Sequence, residues 1–266
     1  MSARPSYRWV PWRAAVALAL AAVVALGAEA FAGKPRSQSK QLPYTTDFRL
    51  GDCAFANDDT ADGLGNPYFP LVPGHWLRLE GEEHGEDVAV EIEVCDDACD
   101  GAGYGIAGDG TKVVDGVLTR VVREMEWEDG ELVEVSFNYF ARCTRNGGVF
   151  YFGEDVDDYE EGEIVGHDGA WLAGGGNLAG LVMPGNFLVG ARYYQEIAPD
   201  VALDRGENTA DDLVVELPDF VEPFEDCVSV TEGSGLEAND QSFKVYCPFV
   251  GLVFDDGIEL VDLFTP

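Results

Sequence analysis

Oxygen ligands at alternating positions are the first chemistry this chain offers. Asp58, Thr60, Asp62, Gly63 and Asn66 follow the first half of the calcium-loop pattern D-x-[DN]-x-[DN]-G. Carboxylate and amide oxygens suit a hard cation, and Gly63 permits the sharp turn. Two departures count against the match. Thr60 stands at an acid or amide position, and Phe69 stands where the closing bidentate Glu belongs. The same residues also make an ordinary Asp/Gly turn that needs no metal. A second acidic group lies at Glu154, Asp155, Asp157 and Asp158. Carboxylates that close together repel unless a cation or solvent screens them. Calcium is therefore an optional cofactor on this reading, and none is required.

Catalytic chemistry finds less support. The three histidines are His75, His84 and His167, and no H-E-x-x-H occurs. Gly233-Ser234-Gly235 is not a G-x-S-x-G and falls where a hairpin turn is expected. Carboxylates are so numerous that some pair must lie at glycosidase spacing, so that spacing carries no information. No catalytic residue is assigned. The aromatics Trp76, Trp127, Trp171, Tyr68, Phe69, Tyr139 and Phe152 are expected to pack a core. On an open concave sheet they would instead accept an apolar ligand.

The six cysteines are Cys53, Cys95, Cys99, Cys143, Cys227 and Cys247. An even number in an exported chain reads as disulfides, although six cysteines allow fifteen pairings. The hairpin expected over 227–247 sets Cys227 against Cys247. Cys95 and Cys99 can close a small loop, which leaves Cys53 for Cys143. Zinc fits poorly, because no second close Cys pair or His pair completes four ligands.

The elements that must hold these residues are strands. Val133, Val135, Phe137, Tyr139, Ala141 and Cys143 alternate with Glu134, Ser136, Asn138, Phe140 and Arg142. Period two predicts a strand with one buried face. Asp129-Gly130 before it favours a type I′ turn. An Asn146-Gly147 turn after it would set Phe150 opposite Cys143 and Phe152 opposite Ala141. The acidic run 154–160 and the Gly-rich run 166–180 then predict a long loop at one rim. Residues 95–112 read as an irregular projection, and 198–211 as an acidic loop. NPYFPLVPG, residues 66–74, reads as an edge or packing strip, since proline cannot sit in a central strand. Short strands are expected at 75–81, 88–94, 180–185, 191–197, 212–218 and through the C-terminal third. The fold class is all-β and antiparallel, a meander forming a curved open sheet or half-barrel, or a sandwich.

Residues 1–32 have the form of an export signal. Arg4, Arg8 and Arg13 precede a short apolar core over 14–27, and Ala30-Phe31-Ala32 fits a cleavage site. The core is short for a transmembrane helix. Residues 33–52 are expected to be a flexible mature N-terminus, and 53–266 one β-rich domain. The whole chain carries a formal charge of −34. That excludes a nucleic-acid partner, which requires a basic footprint, and disfavours anionic lipid.

Five segments also form a recurrent set: NPYFPLVPG at 66–74, TRVVREMEWEDGELVE at 119–134, NGGVFYFGED at 146–155, MPGNFLVGARYYQE at 183–196 and YCPFVGLV at 246–253. This set resembles uncharacterised exported bacterial β-rich proteins. The resemblance implies an exported β domain and carries over no catalytic residue. Against that pattern, 95–110 looks like an insertion.

These readings point to an exported, periplasmic or extracellular module that binds rather than transforms. Its partner would be a small molecule, a cation or a component of the cell envelope, without an integral membrane span after cleavage. A secreted hydrolase using carboxylates or a bound cation, and a purely structural surface protein, are the alternatives.

Overall fold

Strong alternation, Asp-Gly turns and a scarcity of helical periodicity leave the backbone few ways to satisfy its hydrogen bonds except in sheets. The structure, a computed structural model, describes residues 43–59, 65–83, 85–237 and 241–266. The expected signal at 1–32, together with Thr60, Asp62 and His84, lies outside those residues. The strands are β1 (Phe55–Ala56), β2 (Trp76–Glu83), β3 (Glu86–Val94), β4 (Thr111–Val114), β5 (Val117–Glu128) and β6 (Glu131–Cys143). Then come β7 (Val149–Glu160), β8 (Glu163–Gly166), β9 (Trp171–Leu172), β10 (Leu178–Met183), β11 (Arg192–Tyr194) and β12 (Glu196–Ile197). The last are β13 (Asp204–Val215), β14 (Phe224–Ser234), β15 (Ser242–Cys247), β16 (Gly251–Asp255) and β17 (Ile258–Phe264). Among the described residues no helix is long and apolar enough to cross a membrane.

The strands form one antiparallel sheet that curls into a nearly closed barrel. Strands β13 to β17 pair in sequence, β17 pairs with β2, and β2, β3, β5, β6 and β7 continue the sheet to β10. Arg192–Ile197 closes the circuit by changing partner. Its first half, β11, pairs with β13, and its second half, β12, pairs with β10. Between them the Gln195 amide donates to the Asp204 carbonyl at 2.7 Å.

Turn chemistry behaves as the residue types require. Asp129 and Gly130 sit at φ +48° and +83°, and Glu128 pairs with Glu131, so the connection has two residues. The next hairpin corrects the expected register. Phe150 lies opposite Ala141 and Tyr151 opposite Phe140. The connection is longer than two residues, because the Cys143 amide donates to the Gly148 carbonyl and Cys143's carbonyl accepts the Gly147 amide. The shift is by two residues, so each side chain keeps its face.

Three further expectations are overturned. Residues 154–160 are the outer half of β7 and not a loop, because β6 on one side and β8 on the other supply backbone partners. The stretch from Asp204 onward is strand β13, despite its acidity, because β14 pairs along it. Residues 95–110 do not project. They lie over β5 and β6, with Ile106 buried and Tyr104 packed on Phe137 at 5.5 Å. A Cβ on Gly101 would fall 2.3 Å from Ile106 Cδ1, so any larger residue there would have to push the Ile106 side chain aside. Residues ahead of Cys53 are also in use, since Thr45 bridges Tyr193 and Phe48 packs edge-on against Phe150.

Both faces of β6 are therefore buried, where alternation alone predicted one. Val135, Phe137, Tyr139, Ala141 and Cys143 face outward beneath this covering layer, and Ser136, Asn138, Phe140 and Arg142 point the other way. Arg120 holds the layer down. Its guanidinium donates to the carbonyls of Asn57, Cys95 and Asp109 at 2.9, 2.9 and 2.5 Å. Disulfides join Cys53 to Cys143, Cys95 to Cys99 and Cys227 to Cys247, with Cα separations of 5.2, 5.8 and 4.2 Å. Three disulfides place the chain in an oxidising, non-cytoplasmic environment.

The proline-rich strip 66–74 crosses one end of the barrel. Phe69 packs against Phe140 with ring centres 4.8 Å apart and planes tilted by 60°, and the Phe249 amide of the β15–β16 turn donates to the Pro67 carbonyl at 2.6 Å. Asp59 fastens it. One carboxylate oxygen accepts the Leu71 amide at 2.9 Å, and the other takes Arg142 Nε at 2.7 Å. Arg142 is 1 % exposed, so its charge has to be met by buried partners, and Asp59 is one of them. Asp59→Ala should therefore cost about 3 kcal/mol or more in urea unfolding, the scale for breaking a buried ion pair. Glu222→Ala, at an exposed position, should cost under about 0.5 kcal/mol. Equal losses from the two would show that Asp59 does not fasten the strip.

Candidate functional site

Alternation sends every second residue of the barrel strands into the lumen. On β5 these are Val122, Glu124, Glu126 and Glu128. Their cross-strand partners on β3 are Val94, Ile92, Val90 and Val88. On β6 Ser136 pairs with Glu124, and Glu134 pairs with Glu126. One wall of the lumen is thus aliphatic, continued by Leu77, Leu79 and Leu260. The opposite wall carries Glu124, Glu134, Glu154, Glu196, Asp204 and Glu232 around a cavity of about 290 Å³. Each of these six acids is partly exposed, so solvent reaches the lumen. Phe69, Phe140, Tyr151 and Tyr246 complete the lining.

Lys244 is the cation on this wall. Its ammonium lies 3.3 Å from Glu232 Oε2 and 3.1 Å from Asp255 Oδ2. Gln195 Nε2 donates to the other Glu232 oxygen at 2.5 Å. That bond orients the amide and leaves Gln195 Oε1 buried without a donor. Asn138 bridges Ser136 and Tyr151, donating to the first and accepting the phenol of the second.

Burial and mutual repulsion favour the protonated form of Glu124, Glu126, Glu154 and Glu196. Burial raises Glu124 to about 7, against a smaller downward pull from Lys244. Burial, with Glu124 and Glu134 nearby, raises Glu126 to about 8. Glu154 also reaches about 8, through burial and then Glu134. Burial lifts Glu196 well above the ordinary carboxylate value, with Asp204 adding to it. The Trp171 indole N–H pulls slightly the other way, without closing a full hydrogen bond. These groups are hydrogen-bond donors at neutral pH as well as latent charges. A protonated carboxyl in a cavity can stabilise a bound polar group or deliver a proton.

The residues named from the sequence are distributed differently. Asn66 is spent on structure: its amide donates to the carbonyls of Gly147 and Pro184 at 3.0 and 3.2 Å and accepts the Tyr68 amide at 3.0 Å. Asp58 is half-exposed beside Arg120, whose charge it favours. Because 154–160 is a strand, its four acids part to two faces. Glu154 enters the lumen. Asp155 faces outward and accepts Lys112 Nζ and the Tyr139 hydroxyl, each at 2.5 Å. Asp157 accepts the Tyr104 hydroxyl and lies 3.1 Å from His167 Nδ1. Asp158 accepts the Asp168 amide at 2.8 Å. Among the described residues no group of three or more His, Cys, Asp or Glu side chains is placed to hold a metal ion. His75 is structural. One ring nitrogen meets the Val250 carbonyl at 2.8 Å and the other the Thr265 hydroxyl at 3.2 Å.

The lumen acids escaped sequence reasoning, except Glu154. Their signal was Glu124, Glu126 and Glu128 at strand period, with Glu134 in register on the returning strand. A polar face at that period was taken to be solvated, and closure of the sheet turned it inward. Comparison of the chain with protein families, curated proteins and solved structures finds no match to any of them.

The raised acids make stability depend on pH with a definite sign. Between the ordinary glutamate value of 4.5 and about 8, the folded chain binds more protons than the unfolded one. Stability therefore falls as pH rises through that window. Thermal melts at constant ionic strength should give a higher Tm at pH 5 than at pH 8. Glu126→Gln should raise Tm at pH 8 by roughly 3 °C, the shift that about 1 kcal/mol produces in a chain of this size. It should leave Tm at pH 5 nearly unchanged. A Tm that climbs from pH 5 to pH 8 would contradict this account.

Proposed function

We propose that this chain is an exported acidic binding module whose barrel lumen receives a small molecule. The observation that carries this reading is the acid-lined cavity itself. A small barrel serving only stability fills its interior with close-packed apolar side chains. Here one wall is packed that way, and the other keeps carboxyls reachable by solvent. Keeping buried like charges destabilises the fold, and such perturbed groups cluster where proteins bind or react. Export is supported by the signal-like first 32 residues and by the three disulfides. Calcium remains a proposed stabilising partner.

The test uses the full chain with disulfides intact and the neutral fluorescent probe N-phenyl-1-naphthylamine. Uptake into the lumen should raise its emission. Ser136→Phe, at a lumen position, should lower the probe's affinity by about tenfold, the scale of about 1.4 kcal/mol. Val113→Phe, on the exposed exterior, should not change it. Equal uptake by both variants would place the probe outside the lumen and end this reading. Turnover of chromogenic glycosides or esters, lost in Glu154→Gln, would replace binding with hydrolysis by a protonated carboxyl.

A further inference from the structure

One acceptor in the cavity lining is anomalous. Gln195 is 5 % exposed, and its Oε1 has no hydrogen-bond partner. A buried acceptor left without a donor forfeits its hydration uncompensated, so native folds seldom keep one without a use. The amide cannot be turned to relieve it, because Nε2 donates to Glu232. Reversal would set oxygen against oxygen. No neighbouring group is placed to donate to it: Glu196 and Asp204 flank the same cavity without bonding Oε1, and Glu232 already receives both Gln195 and Lys244. Lys244 is engaged by Glu232 and Asp255 and does not reach Oε1 within bonding distance. What this corner lacks is a donor carrying positive charge.

The rest of the cavity says what the donor should be attached to. Phe140, Tyr151 and Tyr246 present rings, and Ile92 and Leu252 present aliphatic surface. Rings and carboxylates together are the surroundings that select organic cations. A bare metal ion would require several ligands converging at about 2–2.6 Å, and the described residues hold no such group. The volume, about 290 Å³, lies at the lower end of small-molecule sites.

We infer that the lumen selects a small organic cation, an ammonium group on an apolar body, with Gln195 Oε1 and the acids beside it receiving the N–H groups and the rings holding the body. This rests on the lumen being a binding compartment, and the experiment separates the two claims.

N-phenyl-1-naphthylamine bound to the full oxidised chain is challenged with three ligands of one shape: phenethylammonium, 2-phenylethanol and phenylacetate. The ammonium should displace the probe at a concentration at least tenfold below that of the alcohol, and phenylacetate should not displace it. Gln195→Leu should weaken the ammonium by about tenfold and leave the alcohol unchanged, with far-UV circular dichroism reporting an intact fold. Equal displacement by ammonium and alcohol would overturn the cation while leaving the lumen as a binding site. Displacement by calcium chloride at the concentration of the ammonium, with sodium inert, would overturn the organic cation in favour of a metal. Absence of probe uptake, together with a melting temperature unmoved by phenethylammonium, would overturn both claims.

Discussion

Like charges turned toward one another inside a barrel set the terms for everything else in this fold. Glu124, Glu126, Glu134, Glu154, Glu196 and Glu232 share a small interior with a single lysine wedged between Glu232 and Asp255. Ionised together in a low dielectric they would oppose closure of the sheet. Raised proton affinity at Glu124, Glu126, Glu154 and Glu196 relieves that repulsion, and it trades electrostatic cost for a dependence on pH. The apolar wall from β2, β3 and β17 supplies the burial that keeps the barrel shut.

The outside of the barrel is arranged to compensate. On the β5–β7 side a second layer lies over the sheet, so Phe137, Tyr139, Phe150 and Phe152 are buried without using the lumen. Phe55 packs edge-on against both Phe150 and Phe152. Two buried arginines anchor this architecture by different means. Arg120 collects backbone carbonyls of loops that have no strand partner, and Arg142 holds the strip across the barrel end through Asp59. The disulfide Cys53–Cys143 closes a long loop between the covering segment and β6, which restricts the unfolded chain most. Elsewhere the exterior is charged: Arg78 pairs with Glu80 and Glu91, and Arg123 with Glu93. Such exposed pairs add little stability, and they keep the sheet's outer surface in water.

The outward acids of β7 illustrate how a strand divides a cluster. In the sequence, Glu154 to Asp158 look like one patch. In the sheet, Asp155 anchors Lys112 and Tyr139, Asp157 anchors Tyr104, and Glu154 belongs to the cavity. The Tyr104 hydroxyl is pushed up to about 12 chiefly by its bond to Asp157. These partners come from β4, β6 and the 101–104 turn, far away in the chain.

Much of the fold was legible in local order. The Asp129-Gly130 hairpin, the alternation of β6 and the strands on either side of residues 83–86 follow from turn preference and period two, both properties of a few adjacent residues. The three disulfides also followed, because two of the pairs are near in sequence and the third was what remained. What failed was each inference that polarity means solvent. Acidic residues 154–160 and 204–211 are strands, since a backbone pairs with its neighbour whatever the side chains carry. Residues 95–110 cover the sheet because Ile106 and Tyr104 found apolar surface that period two could not reveal. The sequence by itself determined an antiparallel β chain, its tight turns, its acidity and its oxidised cysteines. Only the tertiary structure decided that the sheet closes through a partner change at Gln195, that the polar face of β5 and β6 points inward, and that acids from six strands meet around one cavity. Closure depends on hydrogen bonds between residues distant in the chain, and no spacing along the chain encodes which face a closed sheet will enclose.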